Sequence, residues 1–264
     1  MTGNSHRFKR FQLLRIYLNV IYALLMHDIK SRYFGNGWGQ VVMVIWPFVH
    51  ILSLIILYHF SGRITPYGDS LILYSSIGVL PFIIFSYMSR WISFGAVDNR
   101  SFLQYPIIRT LDLMIARFIL EFITAVIVTV LLLLVLELLG EDCMPVNYSE
   151  AACAWCASVF LALGVGFLSA ALAILFYFWN MAYTFIILLA YVSSGILFVS
   201  SSLPPPVRQA LSWNPLLHCI EWMRSAYYVD YNSVVLDKVY LLSFSFLSLV
   251  AGLLLERYTR RYKS

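Results

Sequence analysis

Few side chains in this sequence could do chemistry, and their spacing is more informative about what they exclude. Cys153-Ala-Trp-Cys156 has the spacing of a redox dithiol, but it opens an alanine-rich apolar stretch, which reads as small-residue helix packing. Cys143 and Cys219 bring the cysteines to four, too few and too embedded in apolar sequence for a disulfide scaffold, and their pairing cannot be read from spacing. His50 and His59 stand in an apolar run with no carboxylate one turn away, which suits a satisfied or boundary-facing histidine better than a proton relay. Arg117 and Glu121 are four residues apart, share one helix face and can pair. No G-x-x-x-x-G-K-[ST], H-E-x-x-H or G-x-S-x-G motif occurs, and no metal-ligand quartet. The cluster Gly35, Gly37, Gly39 lacks the lysine of a phosphate loop and instead reads as a turn into the next element. The chain is therefore expected to hydrolyse no nucleotide, bind no metal and catalyse no covalent step.

The elements that must carry these residues follow from composition. Of 264 residues, 61% are hydrophobic and 12% charged, where a soluble domain carries about 25% charge. The apolar runs are long enough to cross a bilayer, which takes about 20 helical residues each. The expected fold is all-α: a polytopic membrane protein with spans near 40–60, 71–88, 111–139, 151–177, 182–203 and 239–255. Before them, His6 to Lys30 reads as an amphipathic helix along the membrane surface, with Phe11, Leu14, Leu18, Ile21, Leu25 and Ile29 on one stripe and Gln12, Arg15, Asn19, His27 and Lys30 on the other. Residues 204–238 are too polar for a span and too apolar for an ordinary loop, so a re-entrant helical hairpin is expected there. Residues 1–34 thus form one unit, and 35–264 the transmembrane domain.

Fourteen of the eighteen lysines and arginines fall in the N-terminal segment, in or just after the link between spans two and three, or in the tail; the others are Arg63, Arg208, Arg224 and Lys238. The positive-inside rule then places both termini in the cytoplasm, and the net charge of +5 is an orientation signal rather than a nucleic-acid footprint. In the second link, Asp98 or Asn99 can cap a short helix ending before Pro106 that presents Phe102, Leu103 and Tyr105, with Arg100 among them. Such a helix is either a docking knob or an interfacial segment lying on lipid. In the hairpin, Pro204-Pro-Pro206 stops span five and Asn214-Pro215, after Trp213, starts a helix on which His218, Glu221 and Arg224 share a polar side. Two roles fit that side: facing a pore, or a Glu221–Arg224 pair that buries the hairpin. Trp46, Tyr74, Phe82, Phe85 and Tyr87 could likewise stack on sugar rings along a channel, or simply pack helices and populate interfacial belts.

The order of these features carries a resemblance. An interfacial helix ending Asp28-Ile-Lys-Ser-Arg32-Tyr, a glycine turn, Trp46-Pro47, Leu80-Pro81-Phe82, the Asp98-Asn99 loop, Ile115-Ala-Arg117 and Trp213-Asn214-Pro215-Leu-Leu-His218 resemble the permease of type-2 ABC transporters, nearest the capsular-polysaccharide export branch. The resemblance implies a homodimer with two ATPase subunits that bind ATP and Mg, moving lipid-linked polysaccharide out of the bacterial cytoplasm across the inner membrane, with periplasmic and outer-membrane proteins as further partners. It implies ATPase contact at Asp98 to Tyr105 and an outer gate in the hairpin before span six. The same architecture serves O-antigen, teichoic acid, lipid or drug exporters. A more distant alternative is a membrane enzyme acting on lipid-linked sugar.

Overall fold

Several of the helices are opened by a side chain that accepts from a free backbone N–H at their start. The computed structural model describes residues 3–31, 39–60 and 65–263. These form α1 (Gly3–Ser31), α2 (Gly39–Phe60), α3 (Leu71–Asp98), α4 (Thr110–Leu138), α5 (Tyr148–Leu175), α6 (Trp179–Val192), α7 (Pro205–Leu211), α8 (Pro215–Tyr227) and α9 (Lys238–Lys263). Ser70 caps α3 by accepting from Leu73 N at 3.2 Å. Asn147, the first residue of the sequence's Asn-Tyr-Ser triplet, caps α5 by accepting from Glu150 N at 3.2 Å. At the start of α4, the Asp112 carboxylate accepts from Arg109 N at 2.8 Å. No strand occurs among the described residues.

Among the described residues, five helices are long and apolar enough to cross a membrane: those over Val41–Phe60, Leu71–Asp98, Thr110–Leu138, Tyr148–Leu175 and Lys238–Arg260. They fall where the apolar runs place spans one to four and six, but α3 runs ten residues past the expected end at Met88, and α9 also runs past Leu255. The fifth expected span, 182–203, differs. Its helix, α6, has 14 residues and stops at Val192, so it rises about 21 Å against a hydrocarbon core of about 30 Å. Ser193-Ser194-Gly195 ends it, and Gly195 sits at φ +85°, where a side chain would be strained. The glycine turn at Gly35 and Gly37, together with Arg32 and Arg63, lies outside the described residues.

α5 is the central helix, packed against α3, α9 and α8. Between lipid-solvated helices there is little hydrophobic drive, so close backbone approach and hydrogen bonds hold them together. Ala154, Ala157, Ala162, Ala170 and Gly164 make that approach possible, all buried, while Cys153 and Cys156 face outward as free thiols. At Gly164 an added Cβ would run into the backbone carbonyl of Ser245 on α9. Gly164→Ala is therefore expected to push α5 and α9 apart and to cost about 1–3 kcal/mol. A lower thermal midpoint in detergent is the readout, with the exposed Ala152→Leu as control; equal midpoints would contradict this packing. Hydrogen bonds supply the rest of the cohesion. Ser169 Oγ donates to Ser93 Oγ (2.9 Å), Ser93 Oγ to Asn180 Oδ1 (2.8 Å), Trp179 Nε1 to Ser169 Oγ (2.9 Å) and the Tyr183 hydroxyl to Ser89 Oγ (2.7 Å), stitching α3, α5 and α6.

Candidate functional site

The best-defined polar constellation at the α1 end of the bundle centres on a residue whose burial an amphipathic stripe does not anticipate. Ile21, Leu24 and Asp28 recur at helical spacing on α1, and all three are buried. Leu24 packs with Leu113 and Ala116 of α4. One turn on, Asp28 is 2% exposed, its carboxylate 2.8 Å from Arg117 Nε on α4 and accepting from Asn99 Nδ2 at 2.9 Å. Gly95 of α3 leaves room for the Arg117 side chain, since a Cβ there would collide with Arg117 Cγ. Asp28 thus ties α1, the end of α3 and α4 together. Leu18, on the apolar stripe of the surface helix, is exposed; Phe11 and Leu14 lie outside the described side chains.

The link after α3 is a 3-10 turn over Arg100–Gln104. Its N-cap is Asn99, but the Asn99 side chain donates to Asp28 instead of capping, and Asp98 is the last residue of α3. The hydrophobic residues of the turn are also not simply presented outward. Phe102 and Leu103 are half-buried against Leu24, Leu113 and Ala116, and the Phe102 ring meets His27 edge-on at 4.6 Å. Tyr105 and Ile107 are the exposed apolar residues. Beside them opens a groove of about 670 Å³ bordered by Arg100, Tyr105, Arg109, Ile174, Thr259 and Arg260.

At the opposite end, Asn214 caps α8 by accepting from Leu216 N at 3.0 Å, with Pro215 as its first residue, as the Asn-Pro pair predicts. His218, Glu221 and Arg224 do share one side of α8, but that side points into protein: their exposures are 2%, 0% and 0%. His218 Nδ1 accepts from Asp237 N at 2.9 Å, so Nε2 carries the hydrogen it donates to Ser212 O at 2.8 Å. Glu221 accepts from the Tyr231 hydroxyl (2.9 Å) and from Ser233 Oγ (2.5 Å), and does not pair with Arg224. Arg224 donates from Nη1 to the carbonyls of Gly195 (2.9 Å) and Phe198 (3.4 Å) and lies 4.3 Å over the Tyr74 ring. Both donations go to the non-helical segment that follows α6. That segment is further held by the Tyr58 hydroxyl, which donates to Ile196 O, while Asn214 Nδ2 donates to Ala190 O at 3.1 Å. Trp213 is exposed, and Tyr240 donates to its carbonyl at 2.7 Å.

The aromatic candidates separate into two groups. Tyr74, Phe82 and Phe85 are buried within the chain, Phe82 against Tyr191 at 4.9 Å, where they pack helices. Trp46 is 64% exposed, and Tyr87 shares a hydrogen bond of 3.1 Å with His50 Nδ1. Both border a cavity of about 270 Å³ with Arg90, Trp91 and Phe94. Arg90 and Trp91 were legible as basic and aromatic residues near the end of span two, but α3's extra length is what brings them beside Trp46. Among the described residues, no group of three His, Cys, Asp or Glu could hold a metal ion. The Cys143 thiol is buried in the link after α4 and donates to Glu137 Oε2 at 3.3 Å; burial and the neighbouring carboxylate push its pKa up, away from a reactive thiolate.

Comparison with known proteins places this arrangement among transport components. No family model matches the chain. It is 30% identical over 237 residues to the polysialic acid transport protein KpsM of Escherichia coli, covering 89% of this chain and 91% of that protein. It is 28% identical over 231 residues to the capsule polysaccharide export inner-membrane protein CtrC of Neisseria meningitidis, covering 84% of each. Identity to BexB of Haemophilus influenzae, which has the same description, is 25% over 236 residues, covering 86% of this chain and 85% of that protein.

Proposed function

Because the chain belongs to the family of capsule polysaccharide export inner-membrane proteins, we propose that it is the permease subunit of an ATP-driven exporter carrying lipid-linked capsular polysaccharide across the inner membrane. The observation that carries the energy-coupling part of this reading is the Asp28–Arg117–Asn99 junction, which joins the surface helix, the link after α3 and a membrane-spanning helix into one body. A partner that moves the link moves α4 with it. The chain has no phosphate loop, so the energy comes from two partner ATPase subunits that bind ATP and Mg, and the permease pairs with a second copy of itself. Periplasmic and outer-membrane export proteins would continue the route.

In this reading both termini are cytoplasmic, α6 and the segment after it complete a sixth crossing, and α7 with α8 form a re-entrant hairpin at the outer face. Residues 1–34 act as the interfacial unit and 35–264 as the transmembrane domain. The ATPase docks across Asp98 to Tyr105, with Arg100 and the exposed Tyr105 as its contacts; Phe102 and Leu103 serve it indirectly by holding the turn on α1 and α4. Trp213, Asn214, Pro215, His218, Glu221 and Arg224 shape the outer gate, Arg224 by holding the segment after α6.

Two measurements test this. Loss of the gene from an encapsulated bacterium should abolish surface polysaccharide and leave polymer inside the cell, and the purified chain should bring down an ATPase. Turnover of lipid-linked sugar by the chain alone would point to an enzyme instead. Tyr105→Asp places a charge in the proposed contact without disturbing a buried group, and should reduce copurified ATPase severalfold while the permease melts normally. Undiminished ATPase recovery would remove Tyr105 from the docking surface.

A further inference from the structure

The cavity between α2 and α3 lies in a part of the chain that the coupling and gate assignments leave unused. Trp46 is seven residues into α2 and Arg90 eight residues before the end of α3, so both stand about 10–12 Å inside the α1 end of their helices. Four aromatic side chains, Trp46, Tyr87, Trp91 and Phe94, and one guanidinium, Arg90, line about 270 Å³. That is below the roughly 300–1,000 Å³ of pockets that enclose a drug-sized ligand, so the cavity suits one ring and not a length of chain. Arg90 is exposed and, among the described residues, has no hydrogen-bond or carboxylate partner.

We infer that this cavity is a binding subsite for one carboxylate-bearing sugar residue of the polymer, with Arg90 pairing the carboxylate and the Trp46 and Trp91 faces covering the C–H faces of the ring. The inference rests on the permease reading above and adds the charge class of the substrate and the place where it is held. Two of the five lining side chains are held by neighbours. Tyr87 is held by His50, and the Trp91 ring lies 5.9 Å under the Arg117 guanidinium. Through Arg117, occupancy of the cavity bears directly on the Asp28 junction.

The test uses the purified permease with its ATPase in neutral phosphatidylcholine nanodiscs, titrated calorimetrically with a short oligosialic acid, with maltotriose and with glycerol phosphate. Saturable binding of the acidic oligosaccharide is expected, with maltotriose binding at least several-fold more weakly and glycerol phosphate failing to displace the acid. Arg90→Gln should weaken binding by roughly tenfold or more, the scale of a lost charge-assisted hydrogen bond. Trp46→Leu, at an exposed position, should also weaken it. No saturable binding by the unaltered protein, equal binding of the neutral sugar, or unchanged affinity in both variants overturns the inference. Displacement by glycerol phosphate overturns it too, by making the cavity a lipid-headgroup site. Recovery of ATPase with the permease is scored separately, so failure of the subsite is distinguishable from failure of the permease reading.

Discussion

Asp28→Asn is expected to lower polysaccharide export about tenfold while the assembled complex keeps at least half of its ATP hydrolysis. Asparagine still offers Asn99 a carbonyl to donate to, but removes the charge that faces Arg117 Nε at 2.8 Å. Arg117 then stays buried on α4 beside the likewise buried Glu121, one turn away, so the fold retains part of its charge compensation. What is lost is the grip of α1 on α4. Asp28→Leu removes charge and acceptor together, and breaking a buried ion pair from one side costs about 3–5 kcal/mol; it should melt markedly lower and export nothing. The contrast separates coupling from stability. If Asp28→Asn exports polymer at the normal ratio to ATP hydrolysed, the junction is only structural.

The second large effect is expected at Arg224. Arg224→Gln cannot bridge the carbonyls of Gly195 and Phe198 and leaves the Tyr74 ring without its cation. Each lost hydrogen bond to a charged group is worth about 1.5–3 kcal/mol. Against this, the substitution relieves a buried guanidinium whose Nε and Nη2 have no hydrogen-bond partner among the described residues, a cost of similar order. The two offset globally but not locally. Amide exchange across residues 193–199 should rise by an order of magnitude or more and export should fall, while the overall melting temperature and the recovery of ATPase change little. Unaltered exchange in that segment would remove Arg224 as its anchor, and unaltered export would remove it from the gate.

The positions of α2 to α5 and α9 were legible because a membrane span is a property of composition, summed over twenty residues and insensitive to any one of them. The end of α6 escaped the same reading for that reason. Ser193-Ser194-Gly195 is a short interruption inside an apolar run, and averaging hides it; only the φ of +85° at Gly195 and the donors that reach the following carbonyls reveal it. The capping role of Asn214 is local chemistry and could be read directly, whereas the direction of the His218–Glu221–Arg224 face could not. A polar stripe points to water or into protein depending on whether partners such as Tyr231, Ser233 and the Gly195 carbonyl are waiting for it. The packing of Phe102 and Leu103 could not be read from the link itself, because the residues they rest against, Leu24 of α1 and Leu113 and Ala116 of α4, lie in other elements.

Among the described residues two arginines are buried, and they share a host. Arg117 lies in the space left by Gly95, and Arg224 lies against Gly78, where an added Cβ would come within 2.8 Å of its Nη2. Both glycines belong to α3, about 25 Å apart along its axis. α3 is thus a notched rod that takes one arginine near each end. A slide or twist of this rod cannot free one arginine without loading the other, so the two ends of the bundle are geared together through a single element.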